Sequence, residues 1–153
     1  MQALETKIPP VALFVLFIVA INQISHEFLA FRYPLPLSNM VFLLCFVASG
    51  VVGLAGIIEF RRAKTTVNPV KVHSASTIVD SGIFAYSRNP MYLGLFLLIF
   101  GFAYWQQNIL SIAFSFGFVL YMNRFQIQPE ERALESLFGV EYKDYKQRVR
   151  RWI

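Results

Sequence analysis

Four apolar stretches divide the chain and are separated by short polar segments. The first two run from about Pro9 to Phe31 and from about Leu37 to Ile58. The second is long enough to cross a bilayer, which takes about 20 helical residues. Met91–Trp105 and Ile109–Met122 are shorter, and the polar triplet 106–108 separates them. This pattern predicts an all-α fold, an integral membrane helical bundle of about four membrane segments whose last two form a short helical hairpin.

The sequence after the fourth stretch predicts a further helix outside the membrane. Pro129 is typical of the first turn of a helix, and Glu130 and Glu131 would stand in that turn, where the helix dipole favours carboxylates. Apolar residues then recur at roughly helical spacing opposite Lys and Arg, namely Tyr142, Tyr145, Val149 and Trp152. This amphipathic pattern favours a C-terminal helix lying on the inner membrane surface.

The composition strengthens the membrane interpretation and argues against nucleic acid and metal as binding partners. The chain is 56% hydrophobic and contains 16 Phe, 7 Tyr and 2 Trp among its 153 residues, whereas a soluble domain is about 45–50% apolar. The net charge of +5 is spread over the loops, so we predict no nucleic-acid partner. His26 and His73 stand on different segments, the lone Cys45 lies in an apolar run, and we predict no metal site.

The distribution of Lys and Arg predicts the orientation. If all four segments cross, 13 of the 14 Lys and Arg residues fall on one side, which is cytoplasmic by the positive-inside rule. We therefore expect an inner-membrane protein with both termini in the cytoplasm. We expect a single membrane domain over 1–153, with two N-terminal spans in 1–60 and a functional core in 74–153.

Two polar segments flank the hairpin and are the candidates for chemistry. Gly82–Gly94 reads G-I-F-A-Y-S-R-N-P-M-Y-L-G, and Pro129–Arg132 reads P-E-E-R. Taken alone, Asn89 and Pro90 are typical of a helix start, Arg88 suits a lipid-phosphate anchor, and the two glutamates suit helix capping. Together the segments also suit a polar pocket that faces the cytoplasm at the base of the hairpin.

At these residues the chain resembles the isoprenylcysteine carboxyl methyltransferases and the related phospholipid methyltransferases. The resemblance covers the C-terminal half, from about Ser74 onward. It rests on a combined pattern and its spacing rather than on one motif. The matching residues are Gly82, Phe84, Arg88-Asn89-Pro90-Met91-Tyr92-Leu93-Gly94, Glu130-Glu131, Phe138-Gly139, Tyr142, Tyr145, Val149 and Arg150.

The resemblance implies an integral membrane methyltransferase that uses S-adenosyl-L-methionine, with a cofactor site closed by the C-terminal segment. The cofactor-binding residues that it implies are Ser76, Thr77, Ile78, Val79, Phe84, Asn89, Pro90, Met91, Tyr92 and Glu130. The implied catalytic residues are Arg88, Tyr92 and Glu131. The implied substrate-binding residues are Arg124 and Gln126.

Two departures from the family pattern bear on the methyl acceptor. Asn89 stands where the prenylcysteine enzymes have His, and Gln126 stands where they have Arg. Both departures favour a lipophilic acceptor such as a membrane lipid or a small hydrophobic molecule over a prenylcysteine-like carboxylate. Two other functions stay open at the level of sequence: an NADPH-dependent membrane reductase, and a non-catalytic membrane protein that retains the fold.

Overall fold

The computed structural model of the chain describes residue 5 and residues 7–63 and 77–153. All regular secondary structure in these ranges is helical, which confirms the predicted all-α fold. Short 3₁₀ turns lie at Leu29–Phe31 and Gly82–Ala85, and a π-helical turn lies at Met122–Ile127. The α-helices of the described residues are α1 (Pro10–Glu27), α2 (Ser38–Arg62), α3 (Pro90–Trp105), α4 (Ile109–Tyr121), α5 (Gln128–Phe138) and α6 (Val140–Arg148).

The polar triplet 106–108 breaks the apolar run between α3 and α4, as predicted. Gln107 adopts a left-handed conformation with φ of 55°. Asn108 caps α4, since its side chain accepts a hydrogen bond of 3.1 Å from the backbone N–H of Ser111. The triplet therefore both ends one helix and begins the next.

Helices α1 to α4 alternate in direction. At one end of the bundle, the link between α1 and α2 meets the hairpin turn, where the N–H of Tyr33 donates to the carbonyl of Gln107 at 2.9 Å. At the other end, Glu5 pairs with Arg124 at 3.0 Å, beyond the end of α4. Helix α3 lies at the centre, packed against α1, α2 and α4.

Small residues allow α2 and α3 to pack closely. A Cβ atom on Gly94 would lie 3.2 Å from the carbonyl oxygen of Ser49, and one on Gly101 would lie 2.6 Å from Cβ of Cys45. Such close approach at glycine is typical of helix pairs in membranes. It places the first turn of α3, which carries the candidate residues, directly beside α2.

Much of the surface of α2 is apolar and uncovered by protein. Helices α1 and α2 are both long and apolar enough to cross a membrane, and α3 is a shorter apolar helix. An uncovered apolar face of this length is stable in contact with lipid rather than with water. The fold is thus that of a helical membrane bundle. Among the exposed residues of α2 are Leu43, Leu44, Phe46, Val51 and Leu54.

Helix α4 continues without a break through the π-helical turn into α5, which ends at Phe138 with Gly139 as its C-cap. Gln126 and Ile127 of the π turn are buried, and π turns within helices frequently occur at functional sites. The turn therefore directs buried side chains of the helix toward the first residues of α3.

Helix α6 packs its apolar face on protein. Tyr142, Tyr145 and Val149 form a buried cluster with residues of α5 and with Ile78. The prediction of a C-terminal helix is confirmed, but the prediction that this face lies on the membrane is wrong. The helical spacing of these apolar residues arises because they are buried against α5. Periodicity alone predicts a buried face but does not identify what covers it.

Candidate active site

Two adjacent glutamates meet the start of α3 and the C-terminal segment at one end of the bundle. Glu130 and Glu131 lie in the first turn of α5. Arg88 precedes α3 and Tyr92 lies in its first turn, while Arg151 follows α6. We call these two carboxyl groups, with the side chains that bind them, the carboxylate site.

Glu131 is held by two arginines. Its side chain is 8% exposed, and its two oxygens each lie 2.6 Å from a guanidinium nitrogen, one of Arg88 and one of Arg151. Burial opposes ionisation of Glu131, but the hydrogen bonds and charges of the two arginines outweigh it and lower the pKa of the carboxyl group. Glu131 is therefore ionised at neutral pH, and its lone pairs are committed to the arginines.

Glu130 has a different environment. Its Oε1 accepts a hydrogen bond of 2.6 Å from the hydroxyl of Tyr92 and one of 2.7 Å from the amide of Gln126. Its Oε2 accepts none from the described residues. Burial raises the pKa of Glu130 to about 7, although the two hydrogen bonds act in the opposite direction. Glu130 therefore changes charge near neutral pH.

The C-terminal segment docks on the start of α3 through its backbone. The guanidinium of Arg88 donates to the carbonyl of Val149 at 2.5 Å, and the N–H of Arg88 donates to the carbonyl of Arg150 at 3.0 Å. The side-chain amide of Asn89 donates to the carbonyl of Arg151 at 3.0 Å. Asn89 occupies the N-cap of α3 as predicted, but its side chain holds the C-terminal segment instead of the helix N–H groups.

Trp152 completes this docking. Its indole N–H donates to the side-chain oxygen of Asn123 at 3.0 Å, and its ring lies edge-on against Phe96 of α3. The C-terminal segment thus contacts α3 and the π turn, which contribute Tyr92 and Gln126 to the surroundings of Glu130.

Three other predicted cofactor-binding residues contact α2 and α6. Pro90 and Met91 face α2, where a Cβ atom on Gly56 would lie 3.1 Å from Cγ of Met91. Phe84 is buried, its ring centroid 5.0 Å from that of Phe60, and its carbonyl accepts from the hydroxyl of Tyr145.

Of the predicted segment 76–79, Ser76 lies outside the described residues. Thr77 is exposed, Val79 is buried, and Ile78 packs against the apolar face of α6. Among residues 77–79, Ile78 therefore makes the contact with the apolar face of α6.

The two predicted substrate-binding residues are engaged within the protein. Arg124 pairs with Glu5, which also binds Arg132 at 2.6 Å. Gln126 is 2% exposed and points to Glu130. The structure brings Gln126 into the carboxylate site and places Arg124 in an ion-pair network with the N-terminal segment.

Sequence reasoning missed two residues next to the predicted ones. Arg151 is not among the predicted site residues, yet it binds Glu131. Glu59, at the end of α2, accepts a hydrogen bond of 2.7 Å from Ser81. Glu59, Ser81 and Gly82 are among the residues that line a cavity of about 490 Å³. A carboxylate at the end of an otherwise apolar helix was the available signal for Glu59.

Comparison with known proteins identifies the family. A model of the phospholipid methyltransferases matches residues 38–141. The chain belongs to this family. The matched range includes Arg88, Tyr92 and both glutamates of the carboxylate site, and it ends before Arg151. Family membership makes the chain a membrane protein of a methyltransferase family and confirms the resemblance seen in the sequence.

Two curated relatives match part of the chain. An uncharacterized protein of Haemophilus influenzae is 48% identical over 63 residues, which is 41% of this chain and all of that protein. The protein-S-isoprenylcysteine O-methyltransferase of Saccharomyces cerevisiae is 37% identical over 82 residues, 52% of this chain. The match covers only 33% of the yeast protein. No solved structure matches the chain.

Proposed function

We propose that this member of the phospholipid methyltransferase family moves a methyl group from S-adenosyl-L-methionine to a lipophilic acceptor. The observation that carries the proposal is the carboxylate site itself. It contains a half-buried carboxyl group, Glu130, with one oxygen that accepts no hydrogen bond from the described residues. It also contains a buried donor, Nε of Arg88, that has no hydrogen-bond partner among them.

These two groups suit the charges of the donor. S-adenosyl-L-methionine carries an ammonium and a sulfonium, which a carboxylate complements, and a carboxylate, which an arginine N–H complements. When bound, it supplies an electrophilic methyl group. We propose Glu130 as the ligand of its cationic end, with Arg88 serving its carboxylate and Asn89 and Tyr92 bordering the same space. The cofactor roles of Thr77, Ile78, Val79, Phe84, Pro90 and Met91 stay predictions from the family resemblance.

The chain's own contribution to methyl transfer is alignment and the exclusion of water. Glu131 is a poor proton acceptor because two arginines hold it ionised. We therefore assign Glu131 and Arg88 a positioning role in addition to any contact with ligands, since they fasten the C-terminal segment over the start of α3. This fastening keeps Glu131 buried and Glu130 half-buried.

A membrane lipid or another hydrophobic molecule is the acceptor that we propose. The apolar surface of the bundle gives such a molecule access from the bilayer, and Gln126 offers no positive charge to a substrate carboxylate. With a labelled methyl donor, we expect methylation of lipid extracts and little methylation of a farnesylcysteine analogue. Efficient methylation of the farnesylcysteine analogue alone would contradict this choice of acceptor.

Binding experiments test the proposed donor directly. Calorimetric titration of the purified protein in detergent should show binding of S-adenosylhomocysteine and no binding of NADPH. Binding of NADPH alone would indicate a membrane reductase. A folded protein that binds neither compound would indicate a non-catalytic member of the family.

We also propose that all four helices α1 to α4 cross the inner membrane, with both termini and the carboxylate site in the cytoplasm. The asymmetry of Lys and Arg supports this orientation. Reporter fusions placed after Glu59 and at the C-terminus should therefore both give cytoplasmic signals, and a fusion after Gln107 should give an external one. An external signal from the C-terminal fusion would contradict the orientation.

A further inference from the structure

The two glutamates of the carboxylate site lie side by side but bind different partners. Both neighbouring arginines, Arg88 and Arg151, bind Glu131. Glu130 is bound instead by a phenol and a primary amide, which are neutral. Glu130 is half-buried, and a carboxylate partly removed from water without a cation is costly. Glu130 is therefore the group of the site whose charge the described residues leave uncompensated.

The groups around Glu130 come from three elements. Tyr92 faces it from α3, Gln126 from the π turn, and Glu131 from α5, where its negative charge adds to the effect of burial. Both hydrogen-bond donors bind Oε1, so Oε2 is the oxygen that a proton or a ligand can occupy. A proton and a cationic ligand therefore compete for the same position.

From this geometry we propose that the ammonium group of the methyl donor binds Glu130 in exchange for a proton, and that Gln126 is the positioning residue that sets the pH range of the exchange. The proposal rests on the proposed function. As the ammonium binds, one proton leaves the carboxyl group for solvent, and the net charge of the site stays the same. No covalent bond of the ligand changes.

Gln126 has this influence because it stands four residues before Glu130, so both side chains share one face of the helix. Its neutral N–H group stabilises the ionised carboxylate by one hydrogen bond. A guanidinium at the same place would pair with Glu130, keep it ionised at every accessible pH and compete with the ammonium group. The residue at position 126 thus determines whether donor binding depends on pH.

The experiment is a pH series of S-adenosylhomocysteine titrations on the full chain in detergent. With a pKa of Glu130 of about 7, we expect binding roughly 25-fold weaker at pH 5.5 than at pH 7.5. Repeating the titration at pH 6 in buffers of different ionisation enthalpy should show the release of close to one proton. For Gln126→Arg we expect less than a threefold change over the same range and almost no proton release.

Two further variants keep the result interpretable. Gln126→Met removes the hydrogen bond without adding charge, and it should move the pH dependence upward. Gln147→Arg makes the same change as Gln126→Arg at an exposed position of α6, and it should behave as the wild type. If the wild type binds with equal affinity at every pH, or if Gln126→Arg and Gln126→Met both keep its pH dependence unchanged, the proposal is overturned while the proposed function stands. Failure of the wild type to bind at any pH would overturn both.

Discussion

Replacing Arg88 with alanine should destabilise the protein by about 3–5 kcal/mol, the usual cost of removing one partner of a buried ion pair. The change leaves the carboxylate of Glu131, 8% exposed, with only Arg151 as a cation. It also removes the donor to the carbonyl of Val149. We expect a large fall in the unfolding temperature in detergent and faster proteolysis of the C-terminal segment.

Arg148→Ala is the matched control. Arg148 also forms an ion pair, with Asp80 at 3.3 Å, but the two side chains are 65% and 48% exposed. Exposed pairs contribute about 0–1 kcal/mol, so this variant should unfold close to the wild-type temperature. Equal destabilisation by the two substitutions would show that the buried ion pairs do not hold the C-terminal segment.

Replacing Glu130 with glutamine should weaken binding of S-adenosylhomocysteine about tenfold to a hundredfold at pH 8. At this pH the carboxyl group is ionised, and a hydrogen bond to a charged group contributes about 1.5–3 kcal/mol. Glutamine keeps the size of the side chain and an oxygen that accepts from Tyr92 and Gln126. Glu141→Gln, at an exposed position in the first turn of α6, should bind as the wild type does.

The stability of Glu130→Gln distinguishes a binding defect from a folding defect. Folding raises the pKa of Glu130 from 4.5 to about 7, so the ionised form is disfavoured in the folded state. This penalty is absent below pH 4.5, grows as the pH rises toward 7 and is then constant. At pH 8 the glutamine variant should therefore be at least as stable as the wild type. Unchanged affinity in this stable variant would show that Glu130 does not bind the ligand and serves only at the start of α5.

The helices were predictable because hydropathy and helix-terminating residues are local properties. The break at 106–108 follows from three adjacent polar side chains. The start of α5 follows from Pro129, whose missing N–H costs nothing in the first turn of a helix. The family resemblance was also local, because it depends on short runs such as Arg88–Gly94 and on their order in the chain.

The different states of Glu130 and Glu131 were not predictable from the sequence. The two residues are adjacent and chemically identical, and their pKa values move in opposite directions because their partners differ. Arg88 lies 43 positions from Glu131, and Arg151 lies 20 positions from it. Only the packing of α3 against the π turn and the C-terminal segment decides which carboxyl group receives the cations.

The docking of the C-terminal segment on Arg88 and Asn89 has a consequence for how this end of the chain can evolve. Because carbonyl oxygens accept most of these hydrogen bonds, the exposed side chains of Gln147 and Arg150 can vary while the contacts persist. Insertions and deletions are different, since a shift of one position would move every carbonyl and carry Arg151 away from Glu131. Natural variation here should therefore consist of substitutions at constant length, with Arg151 and Trp152 retained at a fixed distance from Tyr145.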